Sequence, residues 1–593
     1  MNKSAILHIP MSQYAYGTDE SHVTIRIRTG RDDIKKCTLY YGDRSCRLTP
    51  VIFTSQEMHI VAQTELFDYY ETELVNPYKR LNYYFELNDG TEQILYYGDT
   101  FNEDTVIDRS EYFQLPFNHR ADIVKVPDWA QDTVIYNIFP DSFATGKRYI
   151  SLKETEKEFN GRITRGKLGG TIKGITENVD YIKELGISAI YINPIFTAGE
   201  YHKYDLIDYY HIDPCFGTNE EFKELVEVFH ENGLKVIIDG VFNHCGWMFF
   251  AFDDVVKNGE QSRYKDWFYG LQFPVIRPDD WETYPNYECF GYERLMPKLN
   301  MANPETADYF CEVGKYWIRE FDIDGWRLDV ASEVNDGFWR KFHQAVKEEK
   351  EDAILIGEVW ESAGHWLDGT IFDSAMNYDF RKHCKRFFAE ESEDASAFDS
   401  RVTDMRMRYR KQTVYAQLNV LDTHDVSRFI SVCDGKMDNY KLAVVFQMTF
   451  PGMPSIFYGD EQGISGILEE EYRKPMQWDQ SGELFTFYQK LIHVRKQEEA
   501  LRRGDFRTVS AKKGSRLYIF DRLLEAQTVR VFINMDETDA DVSKWLADEI
   551  SAMAKGGAAM CDGAKAVIEE RVLLAEGLDN GVLKSKGFAI IKQ

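Results

Sequence analysis

The run Phe321-Asp-Ile-Asp-Gly-Trp-Arg-Leu-Asp-Val330 closes on an arginine and an aspartate two residues apart. On a strand, residues two apart project from one face, so Arg327 and Asp329 should enter one cavity together. A neighbouring cation favours the ionised carboxylate and lowers its pKa, and an ionised acid at a strand end can serve as a nucleophile. An isolated Arg-x-Asp is more often a surface salt bridge. Here, however, similar strand ends recur: Asp239-Gly-Val-Phe-Asn-His244, Gly357-Glu-Val-Trp360 and Asp422-Thr-His-Asp425 also carry acids, two of them beside histidines. Each alone reads as a cap or an ion pair. Four on one rim are harder to explain as architecture, because clustered like charges cost stability. Two carboxyls flanking a labile bond are the minimum apparatus for glycoside hydrolysis. Arg327 is expected to keep Asp329 ionised. Glu358, among Ile356, Val359 and Trp360, is expected to hold a proton through desolvation and act as general acid, then base. His244 and His424 can bond sugar hydroxyls.

These strand ends need a scaffold. From about residue 131 strands and helices alternate. Thr133–Phe139, Ala189–Ile192, Lys235–Ile238, the opening run, Ala353–Ile356, Thr370–Phe372, Leu418–Leu421 and Ser455–Tyr458 read as eight strands. A helix is expected near Ile172–Leu185. Another opens with the capping box Thr218-Asn-Glu-Glu221, carries Phe222, Leu225, Val226 and Phe229 on one face, and stops at Gly233. Asn303-Pro304 caps a further helix. Eight such units imply a (β/α)8 TIM barrel over 126–506, with a small insertion domain after the third strand at 245–300. A doubly wound open sheet is the alternative, but no Gly-rich phosphate fingerprint follows a strand.

Residues 1–125 alternate with period two in Val23–Thr29, Cys37–Tyr41 and Leu81–Leu87, with a hairpin expected at Asn88-Asp-Gly90. This predicts an N-terminal β-sandwich. Residues 507–593 turn β again in Arg516–Phe520 and Thr528–Ile533, which predicts a C-terminal β-sandwich. The Ala/Gly-rich stretch 549–565 fits no element.

The 593-residue chain is 44 % hydrophobic and 14 % aromatic, with a formal net charge of −28. It can bury large cores. Its charge argues against nucleic acid or an anionic membrane as partner and suits a neutral ligand. Nine scattered cysteines without a CxxC fit reduced thiols. The apolar run at the start is too short for a signal peptide, and no stretch approaches the roughly 20 apolar residues of a membrane span. A cytoplasmic location is expected.

With these residues in view, the chain resembles the α-amylase family of glycoside hydrolases. The four signature regions correspond, in order, to Asp239–His244, Gly325-Trp-Arg-Leu-Asp-Val-Ala-Ser-Glu333, Gly357–Trp360 and Leu421-Asp-Thr-His-Asp425. Met296-Pro-Lys-Leu-Asn300 is similar to the mark of the neopullulanase, cyclomaltodextrinase and maltogenic amylase subfamily. Tyr14-Ala-Tyr16, Glu65-Leu-Phe-Asp-Tyr69 and Pro127-Asp-Trp129 resemble that subfamily's extra N-terminal domain. The resemblance implies Asp329 as nucleophile, Glu358 as proton donor and Asp425 as the group that grips the sugar hydroxyls, with Arg327, His202, His244 and His424 in support. It implies Tyr204 as a stacking platform at the cleavage point, and Trp360 and Phe290 on the leaving-group side; each of the three rings could instead be core packing. Asp239 is expected to hold the architecture. The implied substrates are cyclomaltodextrins, maltooligosaccharides, pullulan or starch, the implied assembly is a homodimer through the N-terminal domain, and no cofactor is implied.

The chain departs from the subfamily in places. Ser332 stands where Asn is usual. After Gly459-Asp-Glu-Gln-Gly463 the usual Gly-Gly-Asn-Asp-Pro gives way to Gly466-Ile-Leu-Glu469, so Glu469 would replace an Asp beside Arg473. Two other readings use the same chain. A transglycosidase or glucan isomerase would run on the same acids, whereas a sugar-binding protein on an inactive barrel would lack them. Several relatives carry a calcium loop after strand one; Ala144-Thr-Gly-Lys-Arg-Tyr149 lacks the six or more oxygen ligands a hard cation takes, and no metal is expected there. Chelation should therefore leave the melting temperature unchanged, and a drop reversed by added calcium would overturn this reading.

Overall fold

The computed structural model describes residues 1–280, 282–479, 482–546 and 570–593. The stretch 549–565 lies outside the described residues. The chain divides into two compact units, one of Met1–Lys125, Glu391–Tyr415 and Gly504–Gln593, the other of Val126–Glu390 and Ala416–Arg503.

In the first unit nine N-terminal strands pair antiparallel. Strand Thr54–Gln63 does two jobs: its first half pairs Lys36–Asp43 and its second half pairs Phe67–Val75. It thereby passes from one layer to the other. The inward residues of both layers, among them Val23, Ile25, Ile27, Leu39, Tyr83 and Phe85, form one buried cluster, as period-two alternation predicts. The expected hairpin joins Leu81–Asn88 to Gln93–Tyr97. The C-terminal strands Asp505–Ala511, Leu517–Leu524, Gln527–Asn534 and Val582–Lys592 pair antiparallel in a six-stranded sheet.

The second unit is a closed parallel barrel of β1 (Ile135–Ile138), β2 (Ala189–Ile192), β3 (Lys235–Gly240), β4 (Gly325–Leu328), β5 (Ile354–Gly357), β6 (Ser374–Asn377), β7 (Leu418–Val420) and β8 (Met453–Phe457). β1 closes on β8 through Ile135 opposite Ser455. The sixth strand was expected at Thr370–Phe372. It instead begins four residues later, and it is the polar-looking Ser-Ala-Met-Asn that enters the sheet. Full burial by its neighbours, not its own hydrophobicity, recruits it. The single helix expected near Ile172–Leu185 is two, Ile172–Thr176 and Val179–Leu185. The capping box at Thr218 and Glu221 forms, and Phe222, Leu225, Val226 and Phe229 are buried. Asn303 caps the helix Pro304–Phe321 through Thr306 N.

Pleat and register decide what reaches the barrel mouth. Ile237, Ile354 and Ile356 belong to the interior cluster, so the side chains two residues on, Asp239 and Glu358, follow the same inward phase. Asp239 is the register partner of Arg327 on β4, and Arg327 is the partner of Ile356 on β5. The insertion after β3 returns to its origin: Leu299 N donates to Asn243 O (3.0 Å) and Cys245 N to Pro297 O (3.1 Å). This brings Lys298 beside His244.

Gly325 opens β4 where a Cβ would lie 2.3 Å from Ile354 O and 2.5 Å from its Cγ2. β4 and β5 can keep their register only without that atom. Gly325→Ala should destabilise the barrel by roughly 1–3 kcal/mol, read as a lower urea midpoint; an unchanged midpoint would show that the two strands have slack.

Candidate active site

Arg327 is fully buried and holds the site together. Its Nη1 lies 3.0 Å from each oxygen of Asp239 and 2.9 Å from Asp329 Oδ1. Its Nη2 lies 2.9 Å from Glu358 Oε1 and 4.0 Å from Asp425 Oδ2. Four carboxylates from β3, β4, β5 and the loop after β7 thus meet one guanidinium, whose forked geometry suits several acceptors at once. Asp239 also accepts from Tyr191 Oη (2.6 Å) and Tyr204 Oη (3.2 Å).

The turn after β4 is strained. Val330 adopts φ 43°, ψ 43°, a left-handed conformation that a β-branched residue avoids. Such strain, of order 1–3 kcal/mol, tends to sit at functional sites. Here it aims Val330 N at Glu358 Oε2 (2.8 Å) and lets Ala331 N reach Glu358 O (3.2 Å). Trp360 Nε1 donates to Glu358 Oε1 at 3.1 Å. Its ring stacks flat on Tyr378, 4.0 Å between centroids and 5° between planes, yet stays 50 % exposed. One face is backed and the other is open.

The electrostatics differ from the sequence expectation. Arg327 was expected to keep Asp329 low. Burial is the larger influence and pushes the Asp329 carboxyl well above the usual range; Arg327 offsets only part of that, and Glu358 and Asp239 add to the rise. Burial likewise raises Glu358, as expected, with Arg327 opposing and Asp425 adding to it. Each of the two acids therefore keeps its proton to a higher pH than an exposed carboxyl would. Asp425 behaves oppositely. Burial would raise it, but His424, then Arg327 and Arg473, hold it below the usual range.

The remaining predicted residues gather around these acids. His424 is fully buried, with Nε2 3.0 Å from Asp425 Oδ2 and Nδ1 2.9 Å from Asn193 Nδ2. The Tyr204 hydroxyl bonds its Nε2, and the two rings are nearly parallel, 5.7 Å apart. His202 Nδ1 accepts from Tyr204 N at 3.1 Å. Phe290 stacks on His244 at 5.2 Å. Burial, assisted by Arg473 for His202 and by Lys298 for His244, lowers both imidazoles to about 3. Both are neutral near pH 7. Arg473 donates to His424 O (2.9 Å), Tyr201 Oη (3.2 Å) and Glu469, and its Nη2 lies 3.5 Å from Asp425. Glu469 therefore does sit beside Arg473, as expected.

Comparison with known proteins places this architecture. Residues 137–482 match the α-amylase catalytic domain, and residues 1–119 match the α-amylase N-terminal ig-like domain. The chain belongs to the α-amylase family of glycoside hydrolases. It is 42 % identical to a cyclomaltodextrinase of Geobacillus thermopakistaniensis, over 92 % of this chain and 94 % of the relative. It is 40 % identical to neopullulanase 2 of Thermoactinomyces vulgaris, covering 89 % and 90 %. Among solved structures, a cyclomaltodextrinase superposes with a TM-score of 0.85 at 38 % identity, covering 91 % of this chain and 92 % of the other.

Several residues of this α-amylase-family site escaped sequence reading. Asn193 and Tyr191 end β2, Tyr378 follows β6, and Tyr201 and Phe139 flank Arg473. Asn193 and Tyr378 had one usable signal: both sit just past a strand's C-terminal end, where barrel chemistry gathers. Among the described residues no group of three or more His, Cys, Asp or Glu could hold a metal ion.

A carboxyl whose folded pKa is raised opposes folding at pH values above both its folded and unfolded pKa, and this penalty vanishes below the unfolded value. Asp329 and Glu358 are of this kind. Asp329→Asn removes one buried charge while Asp239 and Glu358 still pair with Arg327. At pH 7 it should raise the melting temperature by roughly 1–4 °C, and the gain should shrink towards pH 4. A loss of stability at pH 7 would contradict the burial argument.

Proposed function

We propose that this chain hydrolyses α-1,4-glucosidic bonds of cyclomaltodextrins, maltooligosaccharides, pullulan or starch, with retention at the anomeric carbon. The convergence of Asp329, Glu358 and Asp425 on Arg327 carries this reading. Asp329, as carboxylate, attacks the anomeric carbon while Glu358 gives its proton to the departing glycosidic oxygen. The bond to that oxygen breaks as the glycosyl–Asp329 ester forms. Glu358, now ionised, takes a proton from water, whose oxygen displaces Asp329 and restores the original anomer. The required starting state has Asp329 ionised and the proton on Glu358. Retention by this route needs the two carboxyls about 5–5.5 Å apart.

Asp425, held ionised, accepts bonds from the sugar's hydroxyls and stabilises positive charge building on the ring. Tyr204 offers its face to the sugar at the cleavage point, with His202, His244 and His424 as hydroxyl partners. Trp360 and Phe290 line the leaving-group side, and Glu469 with Arg473 shapes the opposite side. The backed but open ring of Trp360 also suits an acceptor sugar, which favours a second reading: a sugar hydroxyl in place of water gives transglycosylation. The inactive-barrel reading has no support, since every acid it would lack is present.

We further propose a cytoplasmic enzyme that forms a homodimer through its N-terminal domain. Among the described residues no helix is long and apolar enough to cross a membrane, and one relative, 40 % identical, is an intracellular maltogenic amylase of Bacillus subtilis.

Rates and product sizes on β-cyclodextrin, pullulan and soluble starch test the activity, with the anomer followed by NMR. Asp329→Asn and Glu358→Gln should each lower turnover by several orders of magnitude, roughly 10³-fold or more, without unfolding. Near-normal turnover in either variant would remove that residue from the mechanism. With maltotriose, glucose plus maltose indicates hydrolysis, and longer oligomers in bulk indicate transfer.

A further inference from the structure

Away from the catalytic residues, the N-terminal domain carries a cavity of about 360 Å³ lined by Arg44, Ser45, Arg80, Asn82, Arg109, Ser110 and Gln114. Its charge is out of character for a chain of net charge −28. Arg44 and Arg80 are neighbours across two strands, with Arg44 N donating to Arg80 O at 3.1 Å. Both side chains are exposed, so solvent screens their like charges. Among the described residues no acid forms an ion pair with Arg44, Arg80 or Arg109. Arg44 Nε donates to Gln114 Oε1 (2.8 Å), and Arg80 Nη1 to Ser45 Oγ (3.1 Å). Arg109 spends both terminal nitrogens on the carbonyls of Cys46 and Leu48. All three bond neutral partners. Asp43 accepts from Ser45 N, and Asp108 from Ser110 N and Oγ; neither pairs with these arginines.

Two of the three arginines have an anchor. Arg80 lies over the Phe117 ring at 5.1 Å, and Arg109 is tied to the 46–48 loop. Fixed donors bind an anion with less ordering cost than free surface side chains. Planar guanidinium forks suit phosphate oxygens.

Asn82 adds a second, independent observation. It is 1 % exposed, lines the cavity, and its Oδ1 has no hydrogen-bond partner. A buried acceptor left unpaired costs roughly 1–3 kcal/mol. An inorganic anion alone would not satisfy it, since an acceptor needs a donor such as a hydroxyl.

We propose that this cavity binds a phosphate monoester carried on a polyhydroxylated sugar, with the phosphate on Arg44 and Arg80 and a hydroxyl on Asn82. The site is separate from hydrolysis of neutral glucans and would let the enzyme respond to, or hold, phosphorylated sugar.

The test is calorimetric titration of the full-length protein with glucose 6-phosphate, inorganic phosphate and glucose, at ionic strength fixed with sodium chloride. Glucose 6-phosphate should bind at least tenfold tighter than inorganic phosphate, and glucose should not register. Arg44→Gln/Arg80→Gln should weaken glucose 6-phosphate at least tenfold while β-cyclodextrin hydrolysis continues, which reports an intact fold. Asn82→Ala should bring glucose 6-phosphate down to the affinity of inorganic phosphate. Absence of binding, or equal binding by the double variant, overturns the site. Equal affinity for the sugar phosphate and inorganic phosphate overturns the sugar contact. A double variant that sediments differently but binds phosphate normally would identify a protein contact instead, and the proposal fails.

Discussion

One buried guanidinium decides how this barrel mouth is built. Four carboxylates from separate strand ends could not share a desolvated cavity unaided, because each raises the pKa of its neighbours and loses hydration. Arg327 reaches Asp239, Asp329 and Glu358 at 3.0 Å or less and Asp425 at 4.0 Å. It does not neutralise them all. Burial, with the remaining excess of negative charge adding to it, raises the Asp329 and Glu358 carboxyls, while His424, Arg327 and Arg473 hold Asp425 low. Asp329, Glu358 and Asp425 therefore differ by the number of cations each one touches and how deeply each is buried.

Around that centre the chain uses rigid devices to hold angles. The left-handed Val330 turns one amide onto Glu358. The insertion after β3 is pinned at both ends and sets Lys298 against His244, where burial first and Lys298 second lower that imidazole's basicity. Tyr204 is bonded through its hydroxyl and backed by His424, and Trp360 is backed by Tyr378. Each ring that could meet a sugar has a second aromatic group behind it, so ring orientation is settled before ligand arrives. This is preorganisation in the sense that little side-chain freedom remains to be lost on binding.

Two expectations failed for related reasons. The Arg-x-Asp spacing correctly put Arg327 and Asp329 side by side, but a pairwise argument cannot weigh burial against one cation shared among four acids. Burial won, and Asp329 is raised. Likewise Ser374-Ala-Met-Asn377 has no apolar run and reads as loop, yet it is the sixth strand, because hydrogen-bonding partners on both sides are supplied by β5 and β7. Both failures concern quantities that belong to neighbours rather than to the segment.

Much was legible without coordinates. Period-two and helical patterning, the Thr218 capping box and the Asn303-Pro304 start mark local backbone preferences that need no tertiary partner. The acids at four strand ends were visible because a barrel's direction of chain fixes which end carries chemistry. Glu469 beside Arg473 was expected only from the family resemblance, as a stand-in for the usual Asp. Tertiary structure alone decided that Asp239 is the register partner of Arg327, that Tyr378 stands under Trp360 and Asn193 beside His424, and that burial raises the Asp329 and Glu358 carboxyls. Those outcomes depend on closure of the barrel, which sets strand register and excludes water; neither is a property of any one stretch of residues.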